Sequence, residues 1–368
     1  MSRESRGMPR LVLLGGGHSH IEVLRRAALR PLPADIVLVD PHPALPYTGM
    51  VPGYIAGLYA LADILIDLTA LCARAGATLI RGSATGIDVV SRQIHCDNGR
   101  TIGYDLLSID VGSTLDASIP GACEYPVRVR PLWHFVHAWP EVAKRGRTVT
   151  VVGAGTAGIE LALAVHASLS KGGNAPQVSV VGDAPHIAPG ISRHARRLLQ
   201  RACVARGIRL QLGERVARAT RGGIVFDDGA RLSADTVLWA TGPAAQPWLR
   251  QSGLALDDRG YLAVDDHLRV GGRSNVYATG DVASIIAYPR PRAGVYAVRE
   301  APVLADNLRR TLLGQSLRRY VPQPRALALI GTADGRAVAT YGGLWAEGAW
   351  VWRWKNAIDR RFVQRYRG

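Results

Sequence analysis

The sequence predicts an α/β fold made of two similar halves, each a parallel β-sheet flanked by helices. Three observations predict it. Short apolar runs alternate with helical patterns along the chain. The unit strand, glycine turn, helix, strand occurs twice, opening at Gly15 and again at Gly153. Each half also carries a hairpin that leads into a buried strand: HCDNGRTIGYDLLSIDVG (95–112) and VFDDGARLSADTVLWATG (225–242). The chain has 368 residues, 48% hydrophobic and 20% charged. That is long enough for two or three domains and ordinary for a soluble globular protein.

The first copy runs from LVLL (11–14) through Gly15 and Gly17 into a helix near His20, then to DIVLVD (35–40). In a dinucleotide-binding G-x-G-x-x-G turn, the first glycine permits the tight turn and the second admits the pyrophosphate. The third lets the helix pack close to the strand, with its N-terminus facing the phosphates. Gly15 and Gly17 fill the first two places, but His20 stands in the third, which predicts a helix set slightly off the sheet. Asp40 ends the next strand, where an acid would hold the ribose hydroxyls of an adenosine. The second copy is complete: TVTVVG (148–153), then Gly153, Gly155 and Gly158, the helix GIELALAVHASL, and VSVVG (178–182). The hairpins turn at Asn98-Gly99 and at Asp227-Asp228-Gly229.

The formal net charge is +16, carried almost wholly by arginine; Lys144, Lys171 and Lys355 are the only lysines. The arginines are scattered rather than striped with stacking aromatics, which argues against nucleic acid. Cys72, Cys96, Cys123 and Cys203 make no short-spaced pair, so neither a metal site nor a redox disulfide is signalled. Reduced thiols fit a cytoplasmic protein. No apolar run approaches the ~18 residues of a membrane span, and the short LVLL does not make a signal peptide.

Late in the chain, SNVYATGDVAS (274–284) carries Thr279-Gly280-Asp281, and the second hairpin ends in Ala240-Thr241-Gly242. Two dinucleotide turns, an A-T-G turn and a late T-G-D in this order resemble the two-dinucleotide-binding-domain flavoproteins. These are the pyridine nucleotide-disulfide oxidoreductase superfamily, with type II NADH dehydrogenases and sulfide:quinone oxidoreductases among its members. A closer likeness lies in GGGHSHIEVLRR, PYTGMVPGYIAG (46–57), DLLSIDVGS (105–113) and EGAWVWRWKNAIDRRFVQRY (347–366). These stretches resemble the FAD-dependent oxidoreductase often fused to selenophosphate synthetase, in which His20 is expected in place of glycine.

The resemblance implies two Rossmann-like domains, the second inserted in the first: FAD-binding over 1–123 and 244–325, NAD(P)H-binding over 124–243. Residues 326–368 would form a C-terminal cap. It assigns FAD to Gly15, Gly17, His18, Asp40, Gly49, Gly112, Gly280 and Asp281, and NAD(P)H to Gly153, Gly155, Thr156, Gly158, Glu160, Asp183 and Gly242. By rough position in the superfamily, Glu300 and Arg130 are the candidates to line the flavin's acceptor side. Disulfide reductases hold a C-x4-C pair beside the flavin; the matching stretch here, Tyr47 to Gly53, has no cysteine. The reaction implied is hydride transfer from NAD(P)H to FAD, then discharge to a small-molecule acceptor, quinone or another. A flavin-binding redox sensor with little turnover is the alternative. The quinone-associated A-Q-x-A-x-Q becomes Gly294 to Arg299 here and keeps only its inner alanine. Asp183, with no arginine at 182–188, favours NADH. Trp345, Trp350, Trp352 and Trp354 among Arg353, Lys355, Arg360, Arg361 and Arg365 leave two readings open for the C-terminus: a cap packed on the FAD domain, or peripheral docking on the inner face of a membrane. A homodimer is left open as well.

Overall fold

The computed structural model describes residues 7–116, 118–145, 147–171, 173 and 175–367. Strand β1 (Arg10–Leu14) turns into helix α1 (His18–Leu29), and β2 (Asp35–Val39), β3 (Thr78–Ile80) and β4 (Leu106–Ile109) follow. The second half brings β5 (Val127–Arg128), α2 (Leu132–Arg145), β6 (Thr148–Val152), α3 (Thr156–Ser170), β7 (Gln177–Gly182), α4 (Arg193–Val204), β8 (Arg209–Leu212) and β9 (Thr236–Trp239). The chain then returns through β10 (Val276–Ala278) and α5 (Gly294–Leu312). It ends in β11 (Ala328–Gly331), β12 (Ala337–Tyr341), β13 (Leu344–Gly348) and α6 (Ala349–Arg367).

Two five-stranded parallel sheets result, β10-β4-β1-β2-β3 and β5-β9-β6-β7-β8. β1 is apolar along its buried length, Leu11 to Leu14 being at most 1% exposed, as a parallel strand covered on both faces must be. The outer strand β10 pairs with β4 only after the whole second unit has been traversed. The second unit is therefore inserted in the first. Each hairpin gains a third strand that its sequence did not reveal, giving small antiparallel sheets over 84–103 and 216–233. The C-terminal segment, 328–367, is three antiparallel strands followed by a helix.

The two glycine turns can be compared atom by atom. A Cβ on Gly158 would lie 1.8 Å from the carbonyl oxygen of Gly153, so α3 packs on β6 as closely as a glycine allows. In the first turn His20 sits at the matching place with 0% exposure. Its Nδ1 lies 2.5 Å from the Gly15 carbonyl and its Nε2 lies 2.8 Å from Ser108 Oγ on β4. A carbonyl only accepts, so Nδ1 carries the hydrogen and Nε2 accepts from the serine. Burial lowers the imidazole's pKa to about 4, against the opposing pull of the Gly15 carbonyl, so the ring is neutral, as this tautomer requires. The histidine thus replaces close backbone contact with two hydrogen bonds, and α1 begins at His18.

Gly158→Ala should cost about 1–3 kcal/mol by overpacking, whereas Gly155→Ala, whose Cβ would meet nothing within 4 Å, should cost well under that. Urea unfolding of the two variants checks the difference.

Candidate flavin and nucleotide sites

The two motifs assigned to FAD meet at one side chain. Asp110 follows β4 and is 4% exposed. Its Oδ2 accepts from Ser19 N at 2.8 Å and from His20 N at 3.4 Å, which caps the N-terminus of α1. A Cβ on Gly17 would lie 2.4 Å from that carboxylate, and one on Gly280 would lie 2.5 Å from Oδ1. The sequence assigns Gly17's missing side chain to a ligand's approach; the structure shows that Asp110 already requires it. Gly155, the equivalent residue of the second turn, has open space there. Gly15 takes φ +90 with its Cβ direction blocked by the Asp110 carbonyl, so it makes the tight turn expected of it.

The other FAD candidates surround this point. Asp40 accepts from Gly16 N at 2.7 Å and His42 N at 2.8 Å, and burial raises its pKa against those two bonds. Asp281 is half-buried and pairs with Arg130 at 3.0 Å, with Ser113, beside Gly112, at 3.4 Å from the same carboxylate oxygen. Arg130 is therefore placed on the T-G-D aspartate. Glu300 is fully enclosed: Oε2 accepts from Gly280 N at 2.7 Å, and Arg290 closes on its other oxygen. It props the T-G-D turn from behind, the place of a positioning residue. Gly49 lies in a short helical turn, Thr48–Met50, and its carbonyl accepts from Lys355 Nζ at 2.6 Å.

Polar atoms without protein partners lie on the glycine and threonine turns of both units. His18 Nε2 and Thr279 Oγ1 are buried and unpaired, and so is Thr241 Oγ1 in the A-T-G turn. Burial lowers the pKa of His18 to about 4, with Asp281 opposing it. Buried polar groups ordinarily find a partner, and those on the two FAD turns suit a ribityl or phosphate oxygen. With the half-buried Asp281, these residues fit FAD.

In the second unit, Gly153 takes φ +121 against the Ala240 carbonyl, and Thr156 opens α3. Gly242 and Asp183 are exposed at the end of the unit's strands. Glu160 is spent differently from its assignment. Its Oε1 accepts from Gly331 N at 2.7 Å and stands 4.0 Å from Lys355 Nζ. Lys355 in turn bonds Asp359 at 2.7 Å, and Asp359 accepts from the Tyr47 hydroxyl at 3.3 Å. Burial pushes the ammonium's pKa down, but Glu160 and Asp359 outweigh it and raise it, so the lysine stays charged. This polar joint, missed from sequence, links the FAD half, the inserted half and the cap. A signal existed: Lys355 is one of three lysines in a chain that otherwise uses arginine, and a compact ammonium suits a narrow buried position. Asp110 also had a signal, an acid closing an apolar strand.

No thiol joins these groups. All four cysteines are free; Cys72, Cys96 and Cys203 are buried, and burial raises the pKa of Cys72 and Cys203 to about 11. Among the described residues the group that metal geometry would pick out is Asp265, Asp266 and His267. His267 and Arg269 bind its carboxylates, and Arg319 binds Asp266.

Lys355→Met should cost about 3–5 kcal/mol, since it leaves two buried carboxylates facing each other without their cation; chemical denaturation of the variant reads this directly.

Comparison with known proteins agrees with this geometry. The family model for pyridine nucleotide-disulphide oxidoreductases matches residues 9–301. An NADH dehydrogenase-like protein of Mycobacterium tuberculosis is 31% identical over 75% of this chain and 73% of its own. A demethylphylloquinone reductase of Synechocystis is 25% identical over 91% of this chain and 87% of its own. Among solved structures, the sulfide:quinone oxidoreductase of Aquifex aeolicus superposes with a TM-score of 0.81 at 19% identity, covering 98% of this chain and 91% of that one. The likeness to the synthetase-fused subgroup rests on the sequence motifs alone. The chain belongs to the pyridine nucleotide-disulphide oxidoreductase family, as an NAD(P)H-dependent flavin oxidoreductase.

Proposed function

We propose that this chain is an FAD-dependent NADH dehydrogenase that passes electrons to a quinone at a membrane surface. The observation that carries the reading is helix α6. Its inner face, Lys355, Asp359 and Phe362, closes on Tyr47 and Gly49, with Phe362 stacked on Tyr47 at 4.4 Å. Disulfide reductases carry their cysteines in that stretch. Its outer face presents Trp350 (53% exposed), Trp354 (42%) and Ile358 (41%) beside exposed Arg353, Arg361 and Arg365. Leu344 and Trp345 on β13 extend the exposed apolar surface. An apolar stripe flanked by cations suits an anionic lipid interface, each arginine near the surface contributing about 1 kcal/mol. No described helix is long and apolar enough to cross a membrane, so the contact proposed is peripheral. The likeness to a demethylphylloquinone reductase supports quinone as the acceptor class.

Bound FAD would supply hydride acceptance from the nicotinamide and onward electron transfer, with Gly15, Gly17, Gly280 and Asp281 among the residues that would hold it. The protein aligns and shields. Gly155 leaves room for the nucleotide's pyrophosphate at the N-terminus of α3, and Asp183 disfavours the 2′-phosphate of NADPH by like-charge repulsion. Arg130 and Ser113 hold Asp281 in place for the flavin.

The purified protein should be yellow with non-covalent FAD, and under anaerobic conditions NADH should bleach it faster than NADPH. A soluble quinone should then restore the colour. Gly155→Val should lose NADH-driven reduction by at least about tenfold through misplacement of the nicotinamide, while dithionite still reduces it. Flavin that neither nucleotide reduces would replace this reading with the sensor.

The protein should also sediment with vesicles containing anionic lipid and be released by salt. Replacing Trp350 and Trp354 together by alanine should weaken that sedimentation; equal sedimentation of variant and wild type would remove α6 from the docking role.

A further inference from the structure

The N-terminus of α1 already bonds the carboxyl group of Asp110 at the end where the pyrophosphate of FAD would sit. A helix N-terminus attracts a phosphate through its free amides and its dipole. Here Ser19 N and His20 N are already bonded to Asp110, and Gly16 N to Asp40 at 2.7 Å. The pyrophosphate of FAD would bring further negative charge to the same end. Resting on the assignment of FAD to this turn, we infer that Asp110 takes up a proton from solvent when FAD binds, so that flavin retention weakens as the solution becomes alkaline.

The surroundings of the carboxylate carry this inference. It is enclosed between two glycines that its atoms nearly touch, Gly17 on the α1 side and Gly280 on the T-G-D side. It cannot turn out to water without displacing one of these turns. No cation pairs with it among the described residues. On α1 the neighbouring imidazoles, His18 and His20, are held neutral by burial and offer no positive charge. From the T-G-D turn Asp281 faces it, already matched by Arg130. Behind Gly280 stands Glu300, matched by Arg290. On the far side of the glycine turn is Asp40. From α5, Ala297 gives only a carbonyl, which accepts from Ser19 Oγ at 3.0 Å. Burial pushes the Asp110 carboxyl up to about 8, the Ser19 and His20 amides opposing and the Asp281 charge adding to the rise. A bound pyrophosphate raises it further. Below about 8 the carboxyl is protonated before and after binding, and this group adds no pH dependence. Above that value the free protein is ionised, and binding must bring the proton with it.

The test titrates FAD into flavin-stripped protein across about pH 7 to about pH 10 and follows flavin fluorescence. The expected wild-type affinity is flat at the lower end, then falls by about tenfold per pH unit above the free-state titration. Asp110→Asn keeps the amide acceptor but cannot ionise, so its affinity should stay flat across the range. A variant that follows the wild-type slope would overturn the inference. Calorimetry of the wild type in two buffers of different ionisation heat, near pH 9, is the independent arm. It should show proton uptake approaching one per FAD; uptake of none overturns the inference even where the variant does not fold. The two levels of failure are distinct. Protein that binds no FAD at any pH defeats the cofactor assignment as well, whereas tight binding without proton uptake defeats only the role of Asp110.

Discussion

One buried carboxylate sets the geometry of the flavin half. Asp110 joins the end of β4 to the N-terminus of α1 and to the T-G-D turn, three segments far apart in sequence. Because it fills the space between Gly17 and Gly280, neither residue can carry a side chain, whatever ligand is bound. Gly280 is fixed from its other side as well, by Glu300 through its N–H. The T-G-D turn is therefore packed between two buried acids, Glu300 bonded to the Gly280 N–H and Asp110 filling the space a side chain there would need. This packing is local, polar and fully enclosed, the circumstance in which hydrogen bonds hold a unique arrangement most firmly.

A second constraint acts between units. The joint of Glu160, Lys355, Asp359 and Tyr47 takes one group from the inserted unit, one from the FAD half and two from the cap. The cap is fastened again at α1, where the Tyr366 hydroxyl donates to Glu22 at 3.1 Å. Burial would raise the pKa of that glutamate, but Arg25 and Arg26 outweigh it and hold it down at about 2. The C-terminal helix is thus part of the core assembly on its inner face while its outer face stays open to a partner.

Much of this was legible in the chain. The strand–turn–helix units and both buried strands after the hairpins follow from periodicity and glycine placement, because such signals are local. Less legible was what each polar residue does. Spacing places Glu160 on the first turns of α3 but cannot reveal that Gly331, from a distant cap, takes its carboxylate. The same holds for Glu300, which spacing puts on a helix and tertiary packing puts beneath Gly280. His20 was readable as a departure from glycine, yet only the structure shows the ring turned inward to Ser108. Asp110 stood in a quoted motif, but its reach to two turns depends on the pairing of β4 with β1 and β10, which no short-range pattern encodes.

The polar joint also bears on motion. In a two-unit nucleotide enzyme, a hinge between the units would let the cleft open for the nicotinamide and close for the reaction. Here the cap spans that hinge and is bonded on both sides of it. A swing of the inserted unit would have to pull Glu160 from the Gly331 N–H and away from Lys355. The joint therefore opposes a swing of the inserted unit away from the cap.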